Sequence, residues 1–185
     1  YLESMEDRHH IEVISKILYP EDAHLEGKIL RLSQQYFFVS ASMKSMARKH
    51  YAKYGTLSNL HEKVIVHVND THPSLVVPEL MRILMDEYDL DWDYSFDMIK
   101  KMVTYTNHTI MPEALEKWEI TMFNSLLPRI GEIIAGIDER FRRRISKYYR
   151  DQIIDEGIYI INNGYIHMAN MMVLCSGKVN GVSSL

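Results

Sequence analysis

Val64-Ile65-Val66-His67-Val68, followed at once by Asn69-Asp70-Thr71-His72-Pro73, is the stretch of sequence that decides the fold class. A short β-branched run that stops at turn residues is typical of a buried strand, and helical spacing of apolar residues resumes over residues 80–85. A second run, Met102-Val103-Thr104-Tyr105, stops in the same way at Thr106-Asn107-His108-Thr109. Strands that alternate with helices predict an α/β fold with a parallel sheet.

Helical patterns occupy most of the remaining chain. Apolar residues recur every three or four positions between Leu32 and His50, and a further helix is predicted over residues 93–101. Residues 112–116 have the composition of a helix start. The same apolar spacing from Phe123 to Tyr148 predicts one long helix with a kink at Pro128.

The last part of the chain predicts a hairpin, a short helix and a strand. Asn163-Gly164 separates two short apolar runs and is a strong signal for a two-residue turn. A short helix is predicted over residues 168–174 and a strand over residues 178–182. Because the helical share is too large for these few strands to cover, we expect a helix-rich portion of a larger parallel-sheet domain, incomplete in this chain.

The composition argues against several classes of protein. Lys and Arg number 21 and Asp and Glu number 25, so a net charge of −4 disfavours a binder of nucleic acid or of anionic membranes. No apolar run approaches the ~20 residues that a membrane span needs, and no secretory signal opens the chain, so we expect a cytoplasmic protein. The single Cys175 and the lack of metal-ligand spacing predict neither a disulfide nor a metal site.

The polar residues that follow the two strands form the candidate site. In open α/β sheets, ligands bind beyond the carboxyl ends of the strands, so residues 69–72 and 106–109 are expected to line one crevice. Their hydroxyl, amide, imidazole and carboxylate groups suit a polyhydroxylated ligand such as a sugar. Glu113 and Glu116, three positions apart on the predicted helix, add acceptors at the same mouth.

A structural interpretation of the same residues stays open at this point. Asn, Asp and Thr after a strand commonly cap turns and helices, and the helix dipole favours acidic residues in a first helical turn. Under that interpretation the two clusters, with Glu113 and Glu116, stabilise their loops and bind nothing. His67 alternates with apolar residues and is expected to be a hydrogen-bonded core histidine.

Longer motifs around these clusters resemble the α-glucan (glycogen, starch, maltodextrin) phosphorylases. Val-Asn-Asp-Thr-His-Pro-Ser-Leu at residues 68–75 continues into Pro78-Glu79-Leu80-Met81-Arg82. Tyr-Thr-Asn-His-Thr at residues 105–109 continues into Met111-Pro112-Glu113-Ala114-Leu115-Glu116-Lys117-Trp118. Shorter matches occur in the family's order at residues 18–20, 26–28, 126–129 and 179–182. The resemblance therefore extends from end to end of the chain and is highly specific.

The resemblance implies a pyridoxal-phosphate enzyme that moves the terminal glucosyl unit of an α-1,4-glucan onto orthophosphate and releases glucose-1-phosphate. It implies the glycosyltransferase-type fold of glycogen phosphorylase, with residues 1–185 as part of the N-terminal catalytic domain. The family's cofactor lysine and phosphate-binding residues belong to its C-terminal domain and have no match here. We therefore expect the isolated chain to bind no pyridoxal phosphate and to be inactive.

The resemblance also implies roles for the site residues. The main-chain carbonyl of His108 is expected to accept a hydrogen bond from the transferring glucose, which makes His108 the catalytic candidate. Such a dipole favours positive charge that develops on the sugar. The implied substrate-binding residues, of which the two glutamates border a channel beside the glucose, are Asp70, His72, Asn107, Thr109, Glu113 and Glu116.

Three regions of the chain correspond to named parts of the family. Residues 1–19 resemble the tower helix that joins two subunits, which implies a homodimer. Residues 20–28 resemble the loop that gates the site, and residues 63–185 resemble the sheet-and-helix part that carries the sugar-site loops. The gate residues are Asp22, Ala23 and His24.

The sequence departs from the family's pattern in two places that concern regulation. Ala23 and His24 stand where the animal enzymes have Asn-Phe, so control by aromatic inhibitors at the gate is not expected. Arg48 is what remains of an arginine pair that binds a nucleotide effector in the family. Lys49 takes the other place and cannot reproduce the guanidinium fork.

Two other functions remain open from the sequence alone. One is a non-catalytic dimerisation or structural module in which the polar clusters are caps. The other is a nucleotide-sugar glycosyltransferase of related fold, which the lack of a glycine-rich phosphate loop disfavours.

Overall fold

The computed structural model describes residues 12, 14, 16, 20, 24–149 and 156–182. Within the segment predicted to resemble the tower helix, Glu12, Ile14 and Lys16 are helical. The rest of that segment and the gate residues Asp22 and Ala23 lie outside the described residues.

The described residues alternate between helices and short strands. The helices are Leu25–Tyr54 (α1), Leu60–Lys63 (α2), Val76–Arg82 (α3), Trp92–Met102 (α4), Ile120–Leu126 (α5), Pro128–Tyr148 (α6) and Met168–Cys175 (α7). The strands are Val66–Asn69 (β1), Val103–Asn107 (β2), Lys117–Glu119 (β3), Ile161–Asn162 (β4), Tyr165–His167 (β5) and Lys178–Gly181 (β6). A π-helical turn, Ile83–Glu87, continues α3, and 3-10 turns span Pro112–Ala114 and Glu156–Ile158.

The main sheet is parallel, with the strand order β1-β2-β6. Asn69 lies opposite Thr106, and Asn107 lies opposite Gly181, so the three strands end at one edge. A second, antiparallel sheet has the order β3-β5-β4. The prediction of a helix-rich α/β chain with a parallel sheet is confirmed, and α7 and β6 confirm the short helix and the last strand.

One apolar cluster joins the parallel sheet to the helices around it. Val68 and Val103 contribute from the strands, and both are buried. The buried helical side chains of the same cluster include Val77, Leu80, Met81, Met98, Ile99, Ile133, Ile134, Met171 and Met172. Burial of this cluster supplies the main driving force for folding. None of the described helices is long and apolar enough to span a bilayer.

A buried carboxylate ties α1 to α3. Glu79 has no exposed surface and accepts hydrogen bonds from Tyr36 Oη at 3.0 Å and Ser40 Oγ at 2.7 Å. Arg82 donates to both of its oxygens, at 2.8 and 2.9 Å, in the bidentate geometry that suits a carboxylate. Arg82 also donates to Glu87 at 2.7 Å. These bonds fix α1 beside the segment that leads out of β1.

The predicted helix over residues 112–116 is wrong. Pro112–Ala114 forms a 3-10 turn, Leu115 is extended (φ −67°, ψ 128°), and β3 begins at Lys117. Trp118 pairs with Ile166 of β5 in the antiparallel sheet. This tertiary pairing overrides the local helical pattern, because propensity is a weak preference beside long-range contacts.

The predicted long helix is in fact two helices. α5 ends at Leu126, Leu127 leaves the helical conformation (φ −130°, ψ 61°), and Pro128 begins α6. Proline has no N–H to continue a helix, and its ring disfavours the helical conformation in the residue before it. It is well tolerated in the first turn, so it starts a new helix instead of kinking an old one.

Two predictions about turns had different outcomes. Asn163 and Gly164, between β4 and β5, have φ of 49° and 78°, which confirms the hairpin turn. The sequence predicts a loop over residues 20–28, but α1 already begins at Leu25. Glu26 lies in its first turn, where the helix dipole favours an acidic side chain.

Candidate functional site

The two polar loops meet beyond the ends of β1 and β2, as predicted. Asp70 adopts a positive φ of 62°, and its N–H donates to the Thr106 carbonyl at 2.8 Å. Thr109 Oγ1 donates to Asp70 Oδ2 at 3.1 Å, and the Thr71 N–H donates to Oδ1 at 2.7 Å. The Asp70 carboxylate therefore joins the loop that follows β1 to the loop that follows β2.

Asn107 uses its amide to shape the second loop. Its Nδ2 donates to the Thr109 carbonyl at 2.9 Å, and its Oδ1 accepts from the Thr109 N–H and from Tyr105 Oη, each at 3.2 Å. His108, at the apex between them, is exposed, and its Nε2 is hydrogen-bonded to Asn69 Oδ1. The backbone around His108 is thus held on both sides.

Glu113 and Glu116 do not share a helix face, because the predicted helix is absent. Glu113 is exposed on the 3-10 turn, whereas the Glu116 side chain is only 10% exposed. Glu116 Oε1 accepts from Gln35 Nε2 at 2.9 Å and lies 3.4 Å from Arg31 Nη2. Burial raises the pKa of the Glu116 carboxyl, and Gln35, Arg31 and the nearby His72 and Thr71 partly offset that rise.

Two cavities flank this glutamate. Glu113, Glu116 and Trp118 line a cavity of about 480 Å³, and Gln35 and His72 line one of about 440 Å³. Arg31 borders both. The exposed His72 therefore lies at the mouth of a cavity, beside Glu116.

Of two aromatic side chains on the strands, His67 differs from the sequence interpretation and Tyr105 agrees with it. His67 is hydrogen-bonded to Thr104 Oγ1 at 2.9 Å and to Thr106 Oγ1 at 3.1 Å, but it is exposed and not part of the core. Tyr105 is buried, and burial, followed by the negative charges of Asp70 and Glu116, raises the pKa of Tyr105 to about 12.

Sequence reasoning missed Arg31 and Gln35. They lie one turn apart on α1 and reach Glu116 from 85 and 81 residues away. The signal that could have found them is their spacing of four on a helix whose neighbouring positions, such as Leu32 and Val39, are buried. A long polar side chain beside an apolar stripe is well placed to contact another element.

The remaining predicted residues lie apart from this edge. His24 is exposed and precedes α1, and Arg48 is exposed on the same helix. Lys49 borders a third cavity together with Lys53 and Lys63. In the part of the chain that the structure describes, no group of three or more His, Cys, Asp or Glu side chains is arranged to hold a metal ion.

Comparison with known proteins covers the whole chain. The family model for carbohydrate phosphorylase matches residues 1–185. Glycogen phosphorylase of Bacillus subtilis (strain 168) is 48% identical over 175 residues, which make up 94% of this chain and 22% of that protein. Glycogen phosphorylase of Chlamydia pneumoniae is 45% identical over 188 residues, and the brain form from Bos taurus is 40% identical over 201 residues. Both alignments cover all of this chain and 23% of the relative, so the chain spans less than a quarter of these proteins. This chain therefore belongs to the carbohydrate phosphorylase family.

Proposed function

We propose that this chain forms part of the glucose pocket of an α-glucan phosphorylase, in which orthophosphate cleaves the terminal α-1,4 bond of a glucan and glucose-1-phosphate is released. The observation that carries the proposal is the contact between the two motif loops, where Thr109 Oγ1 lies 3.1 Å from Asp70 Oδ2. The family match over residues 1–185 supports it. Both motifs thereby present polar groups at one edge of the sheet, where such folds bind ligands.

In this proposal the loop residues orient the sugar. Asp70 and Asn107 hold the backbone on either side of His108, so its main-chain carbonyl keeps a fixed direction. That dipole stabilises positive charge on the sugar as the glycosidic bond breaks, without reorganisation of the loop. Thr109, Glu113, Glu116 and His72 supply donors and acceptors for the sugar hydroxyls.

Pyridoxal phosphate, proposed for the full-length enzyme, supplies a phosphate group for proton transfer when bound. The residues present at the sheet edge do not fit it. Residues 69–72 and 105–109 offer hydroxyl, amide, imidazole and carboxylate groups, with no lysine to bind the aldehyde. We therefore assign the cofactor lysine to a part of the protein outside this chain, and we propose that the isolated chain is inactive.

Regulation and assembly are proposed on the family resemblance. Residues 1–19 form the contact of a homodimer, and Arg48 is the candidate effector contact. Lys49 stands where the family has the second arginine and cannot reproduce the guanidinium fork, so we do not propose activation by a nucleotide. The residues that precede α1, among them Asp22, Ala23 and His24, gate the site. The protein acts in the cytoplasm, which the single buried thiol, Cys175, supports.

The competing interpretation, that the clusters are caps, is favoured by one observation. The hydrogen bonds of the Asn107 side chain are all with Tyr105 and Thr109, within the segment 105–109. Substitution of Asp70 separates the two readings, because Asn tolerates the same positive φ and keeps the size of the side chain.

In a full-length phosphorylase that carries these 185 residues, we expect Asp70→Asn to lower kcat roughly 100-fold with an unchanged melting temperature. Asp89→Asn is the matched control, since Asp89 also has a positive φ (53°) and lies outside the cluster. We expect Asp89→Asn to retain full activity. A lower melting temperature with turnover retained in the folded Asp70→Asn protein would favour caps.

A further inference from the structure

One turn of α1 reaches across to the buried glutamate of the site. Arg31 and Gln35 are four positions apart, so their side chains lie on the same helix face. Gln35 Nε2 lies 2.9 Å from Glu116 Oε1, and Arg31 Nη2 lies 3.4 Å from the same oxygen. Of the two donors, Gln35 makes the shorter contact.

The carboxylate fixes the direction of the Gln35 amide. An ionised carboxylate only accepts hydrogen bonds, so Gln35 must present its NH₂ group to Glu116 and turn its Oε1 away. Gln35 Oε1 is buried and accepts no hydrogen bond from a side chain or backbone group of the described residues. The Thr71 hydroxyl lies close enough to the Glu116 carboxyl to lower its pKa, so Glu116 has a further donor. A buried acceptor without a donor is unfavourable, so Gln35 Oε1 requires a donor from a bound molecule.

The pair lies in the wall between the two cavities. Gln35 lines the cavity of about 440 Å³ and Glu116 the cavity of about 480 Å³. The charged and titratable groups around Glu116 are Lys28 and Arg31 on α1, His72 on the loop after β1, Tyr105 on β2, and Glu113 and Lys117, which line the same cavity as Glu116. Sugar hydroxyls are neutral donors that an amide oxygen binds.

We propose that Gln35 is a specificity-determining residue: its Nε2 orients Glu116, and its Oε1 accepts a hydrogen bond from one hydroxyl of the bound sugar. The inference rests on the proposed phosphorylase function and adds a residue from α1 to its pocket. Loss of the Gln35 donor also removes a hydrogen bond to the ionised carboxylate, which makes Glu116 protonate at a higher pH.

The test uses a full-length phosphorylase that carries these 185 residues, assayed in the direction of glucan synthesis with glucose-1-phosphate and its monodeoxy analogues. We expect Gln35→Leu to lower kcat/KM roughly tenfold for glucose-1-phosphate. We expect it to leave kcat/KM unchanged for the one analogue that lacks the recognised hydroxyl. The acid limb of the pH profile should move to higher pH.

Ser33→Ala is the control, because Ser33 lies two positions away on the same helix, donates to the Ile29 carbonyl at 2.8 Å and lines neither of the two cavities. It should keep the discrimination among analogues and the pH profile of the unmodified protein. If Gln35→Leu does not fold, Gln35→Met replaces it: this variant keeps the length of the side chain, removes both the donor and the acceptor, and should show the same loss of discrimination.

Equal losses for every analogue, with an unmoved acid limb, would overturn the inference while leaving the phosphorylase function intact. An unmodified protein that makes no glucan from glucose-1-phosphate would instead overturn the proposed function, and this inference with it.

Discussion

At the residue scale, the buried Glu79 is the side chain on which the packing of α1 most depends. It is fully buried and bonded to Tyr36, Ser40 and Arg82, so its removal leaves the Arg82 guanidinium with a single acidic partner, Glu87. Removal of one partner of a buried ion pair lowers the stability of the fold, because the charge of the other partner stays in the interior without compensation.

We therefore expect Glu79→Gln to destabilise the domain by about 3 kcal/mol. The measurement is urea unfolding of a full-length phosphorylase that carries these residues. Glu132→Gln is the control, because Glu132 also pairs with an arginine three positions away but is 68% exposed. Its effect should stay below about 0.5 kcal/mol. Equal effects of the two substitutions would contradict a special role for the buried pair.

The burial of Glu79 could not be predicted from the sequence. Glu79 and Arg82 stand three apart, which predicts at most a surface pair on a helix. Their partners Tyr36 and Ser40 come from 43 and 39 residues away, and only the packing of α1 on α3 brings them together. The same reason hid Gln35 from the candidate site.

At the scale of elements, α6 is fixed at its first turn to the π-helical turn after α3. Arg129 donates to Asp86 at 2.7 and 2.9 Å, and this contact holds the pKa of the Asp86 carboxyl below its usual value. A carboxyl with a depressed pKa stabilises the fold above its unfolded pKa, and that stability is lost as the pH falls through the folded value.

We expect Asp86→Asn to lower the melting temperature at pH 7 by about one or two degrees, because an exposed ion pair contributes little to the stability of a fold. The difference from the unmodified protein should shrink as the pH falls from about 5 toward 3, where the native carboxyl itself takes up a proton. Thermal melts across this range check the sign. A difference that grows on acidification would contradict the assignment.

The hairpin between β4 and β5 offers a second test at this scale. Gly164 has a φ of 78° and open space where a Cβ would stand, so Gly164→Ala tests conformation and not a clash. We expect a loss of about 1 kcal/mol. Gly181 also has open space but no positive φ. Gly181→Ala should therefore be nearly neutral, and an equal loss at both positions would argue against the turn as the cause.

Strands and turns could be predicted from the sequence where residues close together in the chain determine them. The Asn163-Gly164 turn and the strands around residues 66 and 103 depend on short-range signals, and all three were predicted. The structure of residues 112–119 could not be predicted in this way. A helix was expected at residues 112–116, but β3 begins at Lys117 and pairs with β5, about 50 residues further on. Pro128 was recognised as a disruption, but a break and a kink have the same signature in sequence.

At the scale of the whole molecule, we propose that the chain forms one part of a larger active site. The meeting of the two polar loops was predictable, because parallel strands bring their carboxyl ends to one edge. Several apolar side chains remain open to solvent, including Phe38 at 61% and Ile65 at 73%. Because burial of apolar surface is favourable, we propose that other parts of a full-length phosphorylase cover these side chains.

The isolated 185-residue chain should accordingly bind no pyridoxal phosphate. After mixing with the cofactor and gel filtration, the protein fraction should show no absorbance of the cofactor. A protein-bound Schiff-base absorbance band in the isolated chain would contradict the assignment of the cofactor lysine to another part of the protein.

The most direct measurement of the central claim is phosphorolysis by a full-length protein that carries these 185 residues. It is incubated with maltodextrin and orthophosphate, with and without pyridoxal phosphate, and glucose-1-phosphate is followed over time. We predict release that depends on the cofactor and that falls roughly 100-fold in Asp70→Asn. A folded, cofactor-loaded protein that releases no glucose-1-phosphate, or an Asp70→Asn variant as active as the unmodified one, would contradict a sugar pocket at this sheet edge.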